Sequence, residues 1–280
     1  MKIGILSDIH VDINYSRGDR VTPALIGEVA ARELDVLILP GDISSDYTLS
    51  ASVIHTLRRE TGIPCLFVPG NHDIWTEKHP SLDSWTIYRR LEEIEGNLAS
   101  GPVTLSDRWA VVGDLGWYDF AFGDPKFSKE DFEAMAYGGR EWQDHLYARW
   151  NRPTLEMHRY FLDKLSTWLD SLKGKNIILV THVIPVEKFT VGSDHSQAQM
   201  WKYFNAFLGS PSYGHLAEAH PSVKVSLSGH VHYRKQFRRK GVLYICNCLG
   251  YSTEWDGTEN PYEEIPKALI TLDTDLLERS

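Results

Sequence analysis

The sequence predicts an α/β fold in which two β-sheets pack face to face and helices cover their outer sides. In the first half of the chain, short runs of Ile, Leu and Val alternate with helical segments, a pattern typical of βαβ crossovers and a largely parallel sheet. In the last third, strand-like runs return. Five of the apolar runs also end in Asp, Asn or His, as strands do when their carboxyl ends line a site.

The length and composition suit one large domain, residues 1–280, with inserted segments. Hydrophobic residues make up 42% and charged residues 24% of the 280 positions, which is ordinary for a globular protein with a sizeable core. No apolar run approaches the ~20 residues that span a bilayer, so we expect no membrane association. The first strand starts at Lys2, close to Asp8. Removing a signal peptide would remove part of the predicted site, so we expect the mature protein to begin at Met1.

The chain is acidic, with a formal net charge of −9. Binding to nucleic acid needs clustered basic residues, so the charge disfavours a nucleic-acid partner. The densest basic stretch covers residues 234–240 and predicts either a solvated hairpin or a patch that steers phosphates.

Three cysteines are too few and too irregularly spaced for a disulfide framework. Cys65 and Cys246 lie in apolar runs, so we expect buried, inert thiols. Cys246 and Cys248 could instead form a redox pair or a soft metal site. Without a disulfide framework, the reducing cytoplasm is the expected compartment.

Helix signals separate the first strands. A helix is predicted to begin near Thr22, with the threonine hydroxyl as its cap and Pro23 in the first helical position. Two more helices are predicted over 48–61 and 82–95, each followed by a glycine. A further long helix over 154–172 carries an apolar stripe, which indicates packing against the core.

Two segments carry no strand rhythm. Residues 114–153 are rich in aromatic side chains, and residues 186–221 form a second irregular stretch. Strands are predicted again over 223–227, 242–247 and 268–272. We expect the two irregular segments to be insertions that form a cap.

Side chains that bind metals follow the five apolar runs. In chain order they are Asp8, His10, Asp42, Asn71, His182, His230 and His232. Because the carboxyl ends of strands bring side chains together at one edge of an open sheet, we expect one site with enough ligands for two ions. Oxygen and imidazole ligands suit manganese, iron, zinc or cobalt.

Two pairs of these residues are separated by a single position. Asp8 with His10, and His230 with His232, would point to the same side of an extended segment. Most other histidines are expected at the surface or in packing. His195 is the exception, because its insertion follows a ligand-bearing strand and could bring it to the substrate.

Taken in order, the motifs DIH, GD, GNHD, TH and GHVH resemble the signature of the calcineurin-like metallophosphoesterases. The match covers the framework from residue 2 to residue 232. The resemblance implies a four-layer αββα sandwich of two mixed β-sheets flanked by helices, with a two-metal centre. It also implies a ligand set for each ion: Asp8, His10 and His232 for one, Asn71, His182 and His230 for the other, with Asp42 bridging them. Manganese or iron is the expected metal, and zinc or cobalt would also fit.

Charge supports this chemistry. Two divalent ions outweigh the negative charges of Asp8, Asp42 and a bridging hydroxide, so the site should attract an anion despite the acidic surface. Such ions lower the pKa of bound water and stabilise the charge that develops on phosphorus oxygens. We therefore expect hydrolysis of a phosphoester by in-line attack of a metal-bound hydroxide.

His72 lies beside Asn71 and is the residue that we expect not to bind metal. By the resemblance, it protonates the leaving oxygen or stabilises charge there, and a structural role is the alternative. Asp73 could orient His72 as a supporting carboxylate, or it could serve a local turn or cap.

Substrate recognition must come from outside the metal framework. Trp117 and Tyr118 follow a predicted strand, and Trp75 lies just past the GNHD turn. These aromatic side chains could stack on a base or pack on a sugar. They could instead fill the core of a cap.

The sequence therefore predicts a metal-dependent phosphohydrolase that acts on a small phosphodiester, phosphomonoester or nucleotide. Two alternatives are a catalytically silent scaffold of the same fold that binds protein partners, and a nuclease. The scaffold is disfavoured because every ligand position and His72 are present, and the nuclease because the chain is acidic.

Overall fold

The computed structural model describes residues 1–15 and 18–277. The strands are β1 (Lys2–Ile5), β2 (Val36–Leu39), β3 (Cys65–Phe67), β4 (Val103–Thr104), β5 (Trp109–Asp114), β6 (Ala136–Tyr137), β7 (Arg140–Glu141), β8 (Asn176–Thr181), β9 (Val223–Ser228), β10 (Arg234–Arg239), β11 (Val242–Asn247) and β12 (Ile270–Asp273). The α-helices are α1 (Val21–Ala31), α2 (Tyr47–Thr61), α3 (Ser84–Glu92), α4 (Lys129–Glu133), α5 (Gln143–Tyr147), α6 (Thr154–Ser171), α7 (Ala198–Phe204), α8 (Pro211–Ala219), α9 (Pro261–Ala268) and α10 (Thr274–Leu277).

Two mixed sheets form the centre of the fold. The first has the order β12-β1-β2-β3, with β1, β2 and β3 parallel and β12 antiparallel to β1. The second has the order β10-β11-β9-β8-β5-β4, in which the four inner strands are parallel and both edge strands are antiparallel to their neighbours. Strands β6 and β7 form a separate hairpin.

The two sheets pack face to face, and helices cover both outer faces. Ile38 of β2 lies between the sheets, whereas Leu37 and Leu39 pack under α1, α2 and α9, because neighbouring residues of a strand point to opposite faces. Similarly, Ile178 lies between the sheets, and Leu179 packs under α6 and α8. The predicted four-layer sandwich is therefore confirmed.

The helix predictions hold in the interior of each element and fail at some ends. Helix α2 runs from Tyr47 to Thr61, and Gly62 follows it with a left-handed φ of 69°. Helix α1 begins at Val21, so Thr22 is not its cap. The main-chain N–H of Thr22 donates to Asp19 instead, and Pro23 occupies a first-turn position where no N–H is needed.

Two further boundaries differ from the prediction. Helix α3 covers only Ser84–Glu92 of the predicted 82–95, because the carboxylate of Asp83 caps it and the chain turns after it. The last predicted strand starts at Ile270, since residue 268 ends helix α9, which was not predicted. Pro266 lies inside that helix, and a proline in the middle of a segment argues against a helix when only the sequence is read.

The two insertions contain short helices and a hairpin, and they pack on each other. Trp117, Phe132 and Trp150 of the first share one aromatic cluster with Tyr203 and Phe207 of the second. The N-terminal half of helix α6 adds Met157 and Phe161 to the same cluster, whereas Leu165 and Leu169 of its C-terminal half pack on the second sheet. The insertions thus form one layer beside the sandwich.

The basic segment forms edge strand β10 and the turn that leads to β11, as a hairpin. Arg239 and Lys240 pair with Glu218, and Arg234 pairs with Glu264. In the part of the chain that the structure describes, no helix is long and apolar enough to cross a membrane.

Candidate metal centre

Five loops meet at one edge of the sandwich. They follow β1, β2, β3, β8 and β9, which are the strands whose ends carry the predicted ligands. Because β1, β2 and β3 are neighbours in one sheet and β8 and β9 are neighbours in the other, parallel pairing brings all the loops to the same end. The stacked sheets then bring the two sets of loops together.

The backbone of these loops is unusual at the ligand positions. Left-handed φ values occur at Asp8 (53°), His10 (39°), Asp42 (54°), His230 (72°) and His232 (52°). For residues other than glycine such a conformation costs about 1–3 kcal/mol each and clusters at functional sites. The fold therefore holds these side chains in place against a local conformational preference.

Two glycines of the motifs make room for the ligands. A Cβ on Gly70 would lie 2.0 Å from Oδ1 of Asp42. A Cβ on Gly41 would lie 2.6 Å from Nδ1 of His182, and the φ of Gly41 is 91°. The glycines of GD and GNHD are thus required by the close approach of the loops.

The first group of ligand atoms lies around His10. Its Nε2 is 3.1 Å from Nε2 of His232 and 3.6 Å from Oδ2 of Asp42. Nε2 of His232 is in turn 3.6 Å from Oδ1 of Asp8. Asp8 and His10 are fully buried.

The second group lies around His182. Its Nε2 is 3.0 Å from Oδ1 of Asn71, 3.1 Å from Nδ1 of His230 and 3.4 Å from Oδ1 of Asp42. Oδ1 of Asn71 and Nδ1 of His230 are 3.0 Å apart. Asp42 therefore faces the first group with one carboxylate oxygen and the second group with the other.

Hydrogen bonds fix which imidazole nitrogen faces the centre. Nδ1 of His182 lies 2.8 Å from the carbonyl oxygen of Pro40, and Nε2 of His230 lies 3.2 Å from that of Phe207. A carbonyl only accepts, so these nitrogens donate and the opposite nitrogens are left for a metal.

His232 is oriented by a carboxylate. Its Nδ1 donates to Oε2 of Glu254 at 2.7 Å, which leaves Nε2 directed to the first group. The ring of Tyr251 packs edge-on against His232 with centroids 4.5 Å apart. The donor set of carboxylate, amide and imidazole atoms fits two divalent transition-metal ions.

His72 lies at the edge of this centre. Its ring stacks on Trp75 with centroids 3.6 Å apart, and its Nδ1 is 3.0 Å from Oγ of Ser45. Nε2 is 3.9 Å from Oδ2 of Asp42, so it faces the same space as the ligand atoms. Burial lowers the pKa of His72, although Asp42 opposes that shift.

Asp73 does not contact His72 in the described hydrogen bonds. Its carboxylate accepts from the main-chain N–H groups of Ile43, Ser44 and Gly70 and from the hydroxyl of Ser50 at 2.6 Å. The expectation that it orients His72 is corrected. The turn role is the one that the contacts support, because Asp73 ties the loop after β2 to the loop after β3.

Asp144 was not anticipated from the sequence. This buried carboxylate accepts from the amide Nδ2 of Asn71 at 2.8 Å and from the indole N–H groups of Trp75 (2.7 Å) and Trp142 (2.9 Å). The hydroxyl of Tyr118 lies 3.3 Å away. By taking the amide nitrogen of Asn71, Asp144 directs Oδ1 of Asn71 to the metal centre. No apolar run precedes Asp144, so it gave no signal in the sequence.

A cavity of about 560 Å³ opens over the centre. His72, Trp75 and His195 line it, as expected for residues near a substrate. Trp117 and Tyr118 are instead buried and stack on each other in the aromatic cluster of the insertions, with ring centroids 4.6 Å apart. The expectation that they reach the mouth is corrected, because packing takes up their ring surfaces.

A family model described as calcineurin-like phosphoesterase matches residues 1–234. The chain belongs to this family. It is accordingly a phosphoester hydrolase, and calcineurin-like phosphoesterases generally hold two metal ions. No curated protein matches the sequence.

Three solved structures illustrate the shared fold. A phosphopantetheinyl hydrolase from Mycobacterium tuberculosis is 17% identical, with a TM-score of 0.73 over 98% of this chain and 96% of that one. A dimetal phosphatase from Danio rerio is 14% identical, with a TM-score of 0.52 over 90% and 88%. TT1561 from Thermus thermophilus is 15% identical, with a TM-score of 0.52 over 97% and 98%. At such identities the likeness concerns the fold alone.

Replacing Asp144 by Asn should weaken metal binding at the second group by about tenfold or more. Asn71 and Trp75 donate to one carboxylate oxygen and Trp142 to the other, whereas an amide offers a single acceptor oxygen, so one of these donors would face an NH2 group. Metal titration of the full chain followed by Mn²⁺ electron paramagnetic resonance would measure this. Asp131→Asn, on the surface of the same insertion, is the matched control and should bind metal normally. Equal metal affinities of the wild type, the Asp144→Asn variant and the control would contradict the role of Asp144 in positioning Asn71.

Metal binding should also release protons. Burial lowers the pKa of His182, but the neighbouring Asp42 raises it to about 10. Below that pH, Nε2 carries a proton that a metal must displace. Metal affinity should therefore fall about tenfold for each unit by which the pH is lowered, for every proton that binding releases. Calorimetry between about pH 6 and pH 8, in buffers with different ionisation enthalpies, would measure the release. An affinity that is independent of pH would rule it out.

Proposed function

We propose that this phosphoester hydrolase uses a two-metal centre held by the seven predicted side chains. Asp8, His10 and His232 would hold one ion, Asn71, His182 and His230 the other, with Asp42 bridging. The observation that carries the proposal is the division of the Asp42 carboxylate, one oxygen toward each group. Manganese or iron is the proposed metal, and zinc or cobalt suits the same donors.

When bound, such ions supply positive charge to phosphate oxygens and lower the pKa of water. The part of the protein is to hold the ligand atoms at fixed positions and to expose them to the cavity. The proposed role of His72 is to donate a proton from Nε2 to the leaving oxygen. Ser45, on the opposite ring nitrogen, would fix the orientation of the imidazole.

The proposed substrate is a small phosphomonoester, phosphodiester or nucleotide, since a cavity of about 560 Å³ is of the size that holds small molecules. The net charge of −9 does not favour a nuclease. The three cysteines are buried and free, in agreement with the cytoplasm as the proposed compartment.

Asp42→Asn should abolish turnover and loosen both ions, because one of the two bridging oxygens becomes an amide nitrogen. We expect metal analysis of the loaded wild-type chain to give two ions, and the variant to lose affinity at both sites by at least about tenfold. The companion assay is a screen of phosphoesters with added Mn²⁺. One ion or none per wild-type chain would overturn the two-metal proposal.

His72→Ala should retain the metals but slow turnover by roughly 10²-fold, since general acids contribute on this scale. The loss should be smaller for p-nitrophenyl esters, whose leaving group needs little protonation. His55→Ala, on the exposed side of helix α2, is the control. The general-acid role fails if good and poor leaving groups lose the same factor.

A further inference from the structure

The cavity over the metal centre has two chemically different halves. One half carries the proposed ligands and His72. The two insertions line the other half with four apolar side chains, Trp142, Val191, Trp201 and Leu208, and with the polar side chains of Gln143, Asp144 and His195. We call the four apolar side chains the insertion pocket.

Packing contacts and a hydrogen bond hold the insertion pocket next to the candidate metal centre. The indole N–H of Trp142 donates to Asp144, and its ring stacks on Phe207 with centroids 5.6 Å apart at 27°. The same ring meets His230 edge-on at 5.9 Å. Trp201 packs edge-on against His195 at 6.1 Å. A wall that is already ordered loses little entropy when a ligand binds.

Charge around the pocket is unfavourable to a second anion. Within residues 1–15 and 18–277, no lysine or arginine lines the cavity, whereas the carboxylates of Asp144 and Glu254 do. Lys188 and Lys235 line a neighbouring groove, where Glu187 and Asp194 match their charge. Among the described residues that line the cavity, the strong attraction for an anion therefore comes from the proposed metal centre.

We propose that the insertion pocket binds an uncharged aromatic or apolar group attached to the phosphate that the metal centre cleaves. This inference rests on the proposed function. A phosphoryl group at the ligand cluster leaves its substituent in the same cavity, against two tryptophans and two aliphatic side chains. Such a substituent gains from apolar burial and from ring stacking. Substrates with a second phosphate or a carboxylate at this position are disfavoured.

Phosphonic acids test the proposal without turnover, because they present a phosphoryl-like head group whose P–C bond is not hydrolysed. Calorimetry on the full, metal-loaded chain would compare methylphosphonate, phenylphosphonate and phosphonoacetate. We expect phenylphosphonate to bind about tenfold more tightly than methylphosphonate. Phosphonoacetate should bind no more tightly than methylphosphonate.

Variants locate the effect. Trp201→Ala should reduce the advantage of the phenyl group by at least about threefold, as should Val191→Asp, which places a charge in the wall. Trp168→Ala, half-buried on α6 and outside the cavity, is the matched control for loss of an indole, and thermal unfolding checks that each variant folds.

The outcomes separate the two proposals. Equal binding of methyl- and phenylphosphonate, or tightest binding of phosphonoacetate, overturns the insertion pocket but leaves the metal centre intact. A phenyl advantage that persists in both variants also overturns it. If no phosphonate binds the metal-loaded chain, the proposed function itself fails, and the inference fails with it.

Discussion

The carboxylate of Asp42 lies between two groups of ligand atoms, and much of the surrounding structure serves to hold it there. The main-chain N–H of His72 donates to its Oδ1 at 3.0 Å. Gly70 approaches so closely that a methyl group in its place would collide with the same oxygen. Although burial raises the pKa of Asp42, His182 and His72 hold it well below its usual range, so the carboxylate stays ionised. A useful metal site tolerates displacements of only about 0.5 Å, which explains this density of support.

Asp73 links two of the loops that carry the proposed ligands. It accepts from the N–H of Ile43 in the loop after β2 and from the N–H of Gly70 in the loop after β3. Because β2 and β3 are paired, this link fixes the two loops relative to each other. Burial and the neighbouring Asp42 raise the pKa of Asp73 to about 7. Its role is therefore architectural, one step removed from the ligands.

The sequence was informative where an apolar run, which marks a strand, ends in Asp, Asn or His, which mark the site. Both signals are local in the sequence, so these residues could be recognised. The order of the motifs then indicated the family. Asp144 and Glu254 could not be found in this way, since their importance comes from contacts with Asn71 and His232 across long stretches of chain. For a related reason the sequence left two roles open for Trp117, at the mouth or in the core of a cap: composition indicates an aromatic insertion but not which rings face inward. The predicted helix starts were wrong where a neighbouring carboxylate accepts from the first turn, as Asp19 does from the main-chain N–H of Thr22.

The insertions connect the cavity wall to the candidate metal centre through one carboxylate. Asp144 binds an amide that belongs to the centre and two indoles, Trp75 and Trp142, that belong to the cavity wall. Burial raises the pKa of Asp144, while hydrogen bonds from Trp75 and Asn71 oppose the shift. A change in the packing of the insertions would therefore alter the wall and a proposed ligand together.

The left-handed backbone at Asp8, His10, Asp42, His230 and His232 has a consequence for how this edge of the molecule can change. At each of these positions glycine would relieve the backbone strain. The same exchange would remove buried hydrogen bonds, because Asp8 accepts from the main-chain N–H of His230 and Nδ1 of His232 donates to Glu254. Backbone strain and side-chain contacts are thus opposed at the same five residues, so the thermal stability of single glycine variants in a chelating buffer reports which of the two is larger at each position.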